Sequence, residues 1–264
     1  MNYIPKVMTI AGSDSGGGAG IQADLKTFAA FGVYGTSVVT AVTSQNTIGV
    51  FDVSEIPASN VDSQIKAVLD DIGADSVKTG MLSNSEILGI VVKNITEYKI
   101  KNLVVDPVMV ASSGDRLLSD KAVDDYRKYL IPLSKIITPN IPEAETLSGV
   151  KIRNVKDVKE NLKILFEMGC EFVLIKGGHL MAESSIDYLF DGKNFLEFSA
   201  QRVNTKNIHG TGCTLSSAIA ASLSLGLNME DALQKSKEYI TNALKKSFKV
   251  GKGNNPVNHF HSYW

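Results

Sequence analysis

Two cysteines, Cys170 and Cys213, are all that the 264 residues contain. They are too few for a disulfide framework and lack the paired spacing of a zinc site, so a reducing compartment is the expectation. Neither charge sign is in excess: 27 Lys and Arg stand against 28 Asp and Glu, a formal net charge of -1. Without a basic surplus the chain has no general surface for nucleic acid or anionic membrane, because both are held through neutralised phosphates. No apolar run is long enough to span a membrane. The longest apolar region, Leu215 to Leu227, is broken by four serines and a glycine and falls well short of the roughly 20 residues a span requires; it is expected to be a buried helix. The opening residues Met1 to Lys6 lack the features of a secretory signal, and a cytoplasmic location is expected. Repeats, low-complexity tracts and Pro/Ser-rich linkers are also missing, so 1–264 reads as one domain whose only loose segment is Gly251 to Pro256.

What is present is a composition able to bury a core, with 44% hydrophobic and 21% charged residues. Short β-branched runs alternate with stretches of helical spacing. Val7–Ile10, Thr36–Val42, Asp75–Lys78, Leu103–Val105, Lys135–Thr138 and Phe172–Ile175 read as strands, most of them apolar on both faces as buried parallel strands are. Ile65, Val68, Leu69 and Ile72 form a helical stripe with Asn60 as a plausible N-cap, and Ile87, Ile90 and Val91 begin another. A hairpin, Ile186 to Phe190 and Phe195 to Ala200, turns at Asp191-Gly192-Lys193 before two closing helices. This alternation predicts an α/β fold, a three-layer α/β/α sandwich with a mostly parallel central sheet, whose ligands bind beyond the carboxyl ends of the strands.

Four loops carry residues suited to chemistry. After the first strand comes Gly12-Ser13-Asp14-Ser15-Gly16-Gly17-Gly18-Ala19-Gly20, glycine-dense as backbone must be where it turns with positive φ or approaches a ligand. No Gly-Lys-Ser/Thr follows, which excludes a P-loop. Gly18-x-Gly20-x-x-Ala23 fits a dinucleotide fingerprint, yet the next strand ends in Val42-Thr43-Ser44-Gln45 without the ribose-binding acid. Asp24 and Gln45 could meet above the strand ends and suit a small polar heterocycle, or be a solvent-facing helix residue and a loop amide. Asp106-Pro107-Val108-Met109, with a turn at Ser112-Ser113-Gly114, and Asn140-Ile141-Pro142-Glu143 each put a carboxylate just after a strand, either for a magnesium ion near phosphates or as an N-cap acid.

The most informative stretch is Ile208-His209-Gly210-Thr211-Gly212-Cys213-Thr214, a glycine-rich entry to the apolar helix. Unpaired N–H groups and the positive dipole end make such a start an anion site. Cys213 there is expected to have a lowered pKa, whereas Cys170, before a strand, is an inert packing residue. His209 reads as a polar turn residue, and His259 and His261 as surface residues of an irregular tail.

Together the motifs Ala11 to Asp24, Val105-Asp106-Pro107-Val108-Met109, Thr138-Pro139-Asn140-Ile141-Pro142-Glu143 and Gly210-Thr211-Gly212-Cys213-Thr214, with the tail Pro256-Val257-Asn258-His259, closely resemble the hydroxymethylpyrimidine/phosphomethylpyrimidine kinases, the thiamine-biosynthetic branch of the ribokinase-like superfamily. The likeness runs over nearly the whole chain. It implies that Gly12, Asp24, Gln45 and Val108, with Met81 near them, hold an aminopyrimidine ring. It implies that Asp106 and the segment from Asn140 to Glu143 organise Mg2+ and the phosphates of ATP, that Lys176, Gly178 and Lys237 lie on the nucleotide side, and that Gly210, Thr211, Gly212 and Cys213 form the anion hole. Sugar kinases of the superfamily carry an aspartate base where this chain has Cys213, a residue usual in the pyrimidine branch, which either takes the hydroxyl proton or positions the acceptor. The implied reaction is ATP-dependent phosphorylation of 4-amino-5-hydroxymethyl-2-methylpyrimidine, then of its monophosphate, by a homodimer.

Three rivals are retained. A pyridoxal or pyridoxine kinase of the same Gly-Thr-Gly-Cys signature is the nearest, with the Gln45 amide favouring the aminopyrimidine edge. A nicotinamide-dependent oxidoreductase would use Gly18, Gly20 and Ala23. A metabolite-binding module on a kinase fold would bind without turnover.

Overall fold

The computed structural model describes residues 3–109, 120–177 and 184–263. Among these, nine strands form one sheet: β1 (Lys6–Asp14), β2 (Tyr34–Gln45), β3 (Val50–Glu55), β4 (Ser76–Thr79), β5 (Leu103–Val105), β6 (Ile136–Ile137), β7 (Phe172–Lys176), β8 (Ser184–Phe190) and β9 (Phe195–Gln201). Their order is β3-β2-β1-β4-β5-β6-β7-β8-β9. The six inner strands from β2 to β7 run parallel, while β3 on one edge and the β8–β9 hairpin on the other are antiparallel.

Successive strand residues point to opposite faces, and both faces here are covered. In β5, Leu103 and Val105 enter one core and Val104 the other; in β7, Val173 and Ile175 are divided from Leu174 in the same way. The first core is completed by α2 (Ala58–Asp71), α3 (Ser85–Glu97), α5 (Ile141–Ser148) and α6 (Val155–Phe166), through side chains such as Ile65, Val91, Leu147 and Leu162. The second is completed by α1 (Gly20–Ala30), α7 (Thr211–Ser224) and α8 (Met229–Lys245), through Phe28, Ile219 and Ile240. A short α4 (Asp120–Asp125) borders the first layer. Each fully buried Val, Leu or Ile contributes about 1.5–3 kcal/mol, which explains why strands as short as β5 and β6 persist between two helical layers.

Several expectations need correction. Asn60 does not cap α2: the helix begins at Ala58 behind Pro57, and Asn60 sits in the first turn, where its side chain accepts from Gln64 Nε2 at 3.0 Å. Proline pre-sets the φ that starts a helix, so the chain turns earlier than the asparagine signal indicates. The segment Gly251 to Pro256 is not loose. Asn255 Oδ1 accepts the N–H groups of Val250 and Gly251 at 2.8 and 2.7 Å, the Asn254 N–H donates to the Thr47 carbonyl at 2.7 Å, and Pro256 bridges to His209. His259 and His261 are buried, with the Tyr239 hydroxyl donating to the His259 carbonyl at 2.6 Å. Helix α7 stops at Ser224, short of Leu227. The turn read at Ser112-Ser113-Gly114 lies outside the described residues.

Candidate active site

The connections from β1 lead to β2 on one side, and those from β4 onward to the other, so the sheet has a switch point between β1 and β4. Ligands of open α/β sheets bind beyond the strand ends at such a point. A cavity of about 190 Å3 opens there, lined from the ends of β1, β2 and β7, from the loops after β4, β5 and β6, and from the start of α7.

One wall carries Gly12, Gln45, Met81 and Val108. Gly12 lets the methionine close in, since a Cβ at that position would lie 2.5 Å from Met81 Cε. Gln45 is anchored by reciprocal bonds with Ser15, whose hydroxyl donates to the Gln45 carbonyl at 2.7 Å and accepts its N–H at 2.8 Å. The amide oxygen accepts from the Thr43 hydroxyl at 3.2 Å, which aims the group at the cavity. Asp24 does not join this wall, and the expected meeting of Asp24 with Gln45 does not occur. Its carboxylate lies fully buried on α1, bound by Lys78 Nζ at 2.9 and 3.0 Å, by the Ser217 hydroxyl at 2.6 Å and by the Thr9 hydroxyl at 2.6 Å. A dry charge pair of this kind loses about 3–5 kcal/mol when one partner is removed, because the other charge is stranded. Only Lys78 of the pair reaches the cavity lining.

A second wall gathers Asp106, Asn140, Glu143 and Lys176. Asn140 and Glu143 form a capping box at the start of α5, the Glu143 N–H donating to Asn140 Oδ1 at 2.9 Å and the Asn140 N–H to the Glu143 carboxylate at 2.7 Å. Lys176 Nζ stands 2.9 Å from Asp106 and 3.9 Å from Glu143. Burial favours the neutral form of Asp106, but the Lys176 and Lys78 charges outweigh it and hold the carboxyl below its ordinary range. For Glu143 burial prevails over Lys176, and Asp106 adds to the rise, so the carboxyl is pushed up to about 7. Among the described residues no cluster of three or more His, Cys, Asp or Glu gathers to hold a metal. Two carboxylates suit an ion such as Mg2+, which prefers oxygen donors and completes its shell with water and substrate phosphates.

At the third wall, Gly210 caps α7 in the left-handed region, with φ 78°, and packs against the Gly18 carbonyl, where a Cβ would collide. The first helical bond of α7 runs from the Thr214 N–H to the Gly210 carbonyl at 2.9 Å, so the Gly212 and Cys213 amides ahead of it belong to the group a helix start leaves unpaired. The expectation of a lowered Cys213 pKa is overturned. Burial pushes the thiol up to about 11; the Lys78 charge pulls it down, Asp24 and Asp106 push it up again, and the Gly20 N–H favours the thiolate. Desolvation exceeds the helix-start field. Cys170 is buried, its thiol pushed up to about 12 by burial, as an inert packing residue should be.

Three titratable residues of the cavity were given no role by the sequence reading: Asp14, Lys78 and His209. The Asp14 carboxylate accepts the N–H groups of Gly16, Gly18 and Ala19 at 2.8, 3.0 and 2.8 Å, and His209 Nε2 lies 2.8 Å away. Burial opposes ionisation of Asp14, but these hydrogen bonds prevail and hold it below the ordinary range. The glycine-loop amides therefore serve the chain's own carboxylate, which leaves a dinucleotide pyrophosphate without its donors. An aspartate inside a glycine run was the available signal for Asp14; His209 shows itself only when the tail pairs with it. Lys237 lies away from this lining, its ammonium 2.7 Å from the buried Asp187 and 3.1 Å from the Ser185 hydroxyl. Gly178 falls outside the described residues.

Comparison with known proteins adds independent findings. A family model described as phosphomethylpyrimidine kinase matches residues 14–258. The hydroxymethylpyrimidine/phosphomethylpyrimidine kinase of Bacillus subtilis is 45% identical over 258 residues, covering 97% of this chain and 95% of that protein. The thiamine biosynthesis bifunctional protein of Geobacter sulfurreducens is 48% identical over 253 residues, 96% of this chain but 52% of that protein, so the chain spans about half of it. Among solved structures, a Bacillus subtilis pyridoxal kinase with bound ADP is similar at a TM-score of 0.92 and 38% identity, over 98% of this chain and 99% of that one.

Proposed function

Because this chain belongs to the phosphomethylpyrimidine kinase family, we propose that it transfers phosphate from ATP to the hydroxymethyl group of 4-amino-5-hydroxymethyl-2-methylpyrimidine and then to the resulting monophosphate. The observation that carries this reading is one cavity lined both by Gln45, Met81 and Val108 and by the helix start at Gly210–Cys213. A ring edge with adjacent donor and acceptor pairs with the Gln45 amide, which offers both. In this reading the hydroxymethyl arm is directed at Cys213, which lines the same cavity. The amides of α7 receive the charge on the transferred phosphoryl group, and the Lys176 ammonium adds to it.

The family implies ATP with a divalent metal. We assign that metal as Mg2+, which Asp106 and Glu143 would hold; when bound it would neutralise charge on the phosphates. Asn140 fixes Glu143 through the capping box. Cys213 accepts the hydroxyl proton or positions the acceptor. On the nucleotide side we retain Gly178 and Lys237, the latter reaching nucleotide only if it leaves Asp187. For Asp24 we assign an indirect part, through Lys78.

The homodimer also belongs to this proposal. Its support is the edge next to β2, where Ile48, Phe51 and Val53 are 65%, 67% and 42% exposed, a density of apolar side chains that suits an interface. The reading of 1–264 as one unit is supported by the single continuous sheet. A cytoplasmic location remains part of the proposal; among the described residues no helix is long and apolar enough to cross a membrane.

Purified protein with ATP, Mg2+ and the aminopyrimidine alcohol should yield the mono- and the diphosphate in sequence, separable by anion exchange. No turnover of the alcohol rejects the proposal. The likeness to a pyridoxal kinase makes pyridoxal the necessary comparison, and a large preference for pyridoxal in kcat/KM transfers the assignment to vitamin B6 salvage.

A further inference from the structure

Helices α1 and α7 meet beneath the cavity in a matched arrangement. Each begins with a glycine turn, and each places a cavity residue one turn ahead of a buried polar one: Gly20 and Asp24 on α1, Cys213 and Ser217 on α7. Residues four apart share a helix face. The Ser217 hydroxyl donates to Asp24 at 2.6 Å, so the two lower positions are in direct contact, and at the upper ones the Gly20 N–H faces the Cys213 sulfur. Lys78 enters from β4 and closes the arrangement. Its ammonium is fully buried and donates to both Asp24 oxygens at 2.9 and 3.0 Å. An ammonium has three N–H groups, and among the described residues these two bonds are the ones Lys78 makes, leaving the third for the cavity that it lines together with Cys213.

The geometry points to a division of labour, resting on the kinase reading above: Lys78 is a positioning residue that favours the charged form of the Cys213 sulfur against burial, and Asp24 both fixes Lys78 and limits its effect. The proton leaves the thiol to water while the pocket is open. The thiolate then takes the proton of the substrate hydroxyl as that oxygen bonds to phosphorus and the bond to the ADP oxygen breaks. Lys78 keeps its own proton throughout, since the Asp24 charge, together with Cys213 and Asp106, outweighs the burial that opposes it. A lysine that must stay charged in a dry site needs such a carboxylate, and a carboxylate placed there must be spent on the lysine to spare the sulfur. This accounts for an ion pair in which one member faces the ligand space and the other is sealed away.

Charged groups from four elements act on the sulfur: Lys78 from β4, Asp24 from α1, Asp106 from the loop after β5, and Lys176 from β7. Removing Lys78 should therefore raise the Cys213 midpoint even when Asp24 is removed with it, which a merely structural ion pair does not do. The measurement is the rate of Cys213 carboxamidomethylation by iodoacetamide against pH, in the absence of ATP and pyrimidine, with peptide mapping to separate Cys213 from the buried Cys170. In Lys78→Met the alkylation midpoint should rise by about one pH unit or more. If Lys78→Met does not fold, Lys78→Met/Asp24→Asn leaves no stranded charge, and its midpoint should still rise because Lys78 is the larger influence on the sulfur. In turnover, Lys78→Met should lower kcat with little change in KM, and the deficit should shrink as pH increases. An unchanged or lowered midpoint in Lys78→Met and in the double variant overturns the proposal. The alkylation result is independent of turnover, so a failed kinase assay and a failed electrostatic role are told apart.

Discussion

At Cys213 the field of a helix start and the Lys78 ammonium favour the thiolate, and burial favours the thiol. Burial wins, with the thiol pushed up to about 11. At neutral pH the resting sulfur is therefore protonated, and the charged fraction grows tenfold with each pH unit toward that value. If the sulfur takes the hydroxyl proton, kcat/KM should climb with a slope near one through the mildly alkaline range, until another group titrates. Cys213→Ala should abolish that slope and lower kcat by about 10²–10⁴, the usual contribution of a general base. Pyrimidine binding measured by calorimetry should stay within a few-fold of wild type, because the ring contacts proposed at Gln45, Met81 and Val108 are left in place. A variant with full rate and an unchanged pH profile removes the sulfur from the chemistry. Of the residues singled out in the sequence, Gly12, Gln45, Met81, Val108, Asp106, Asn140, Glu143, Lys176 and Gly210–Cys213 line the cavity together. Residues that follow a strand directly are placed by the strand, and the sheet order brings the strand ends to one crevice. Asp24 was misplaced for a related reason: spacing puts it one turn into α1 but cannot say which side of that helix faces the sheet.

Elements with a strong period were legible, and elements held by distant partners were not. The inner strands announce themselves by apolar residues on both faces, a pattern only a sheet covered on both sides satisfies. Strand β3, with five of six residues exposed, carries no such pattern, and exists through its antiparallel pairing with β2. The C-terminal tail looked loose because glycines and asparagines are loop formers. Its order comes from contacts about 200 residues away in sequence, where Gly253 and Asn254 meet Thr47. Asn255 organises that tail: its side chain accepts two N–H groups and donates to the Gly253 carbonyl at 2.9 Å, and its own carbonyl accepts the His209 N–H at 3.1 Å. Asn255→Ala removes the buried acceptor of the part-exposed Val250 and Gly251 amides. The unfolding free energy in urea should drop by about 1–3 kcal/mol, and KM should rise as His209 loosens beside Asp14 and Gln45. Unaltered stability would show that the tail merely lies on the surface it covers.

Over the whole molecule, a net charge of -1 means that no basic surface draws in phosphate. The positive potential is local, made by Lys78, Lys176 and the start of α7, and the tail supports that start from behind: His259 Nε2 lies 3.0 Å from the Thr214 hydroxyl. Burial, with Lys26 and His209 adding to it, lowers the His259 pKa to about 3, against an ordinary value of 6.5. The native state therefore binds the imidazole neutral, while the unfolded chain protonates it below about 6.5. Between these limits the unfolded state carries more protons, so stability rises with pH and is lost as pH falls from 6.5 toward 3. Each pH unit in that window is worth up to about 1.4 kcal/mol. Urea unfolding of wild type at pH 7.5 and pH 5.0 should accordingly show a loss at the lower pH, of which His259 supplies up to about 2 kcal/mol. His259→Gln keeps an amide within reach of Thr214 and cannot titrate, so its loss over the same interval should be smaller by that amount. Equal losses in the two proteins would mean that the folded state accepts the imidazolium, and that the tail yields to water at pH 5.0 while the rest of the sandwich stays folded.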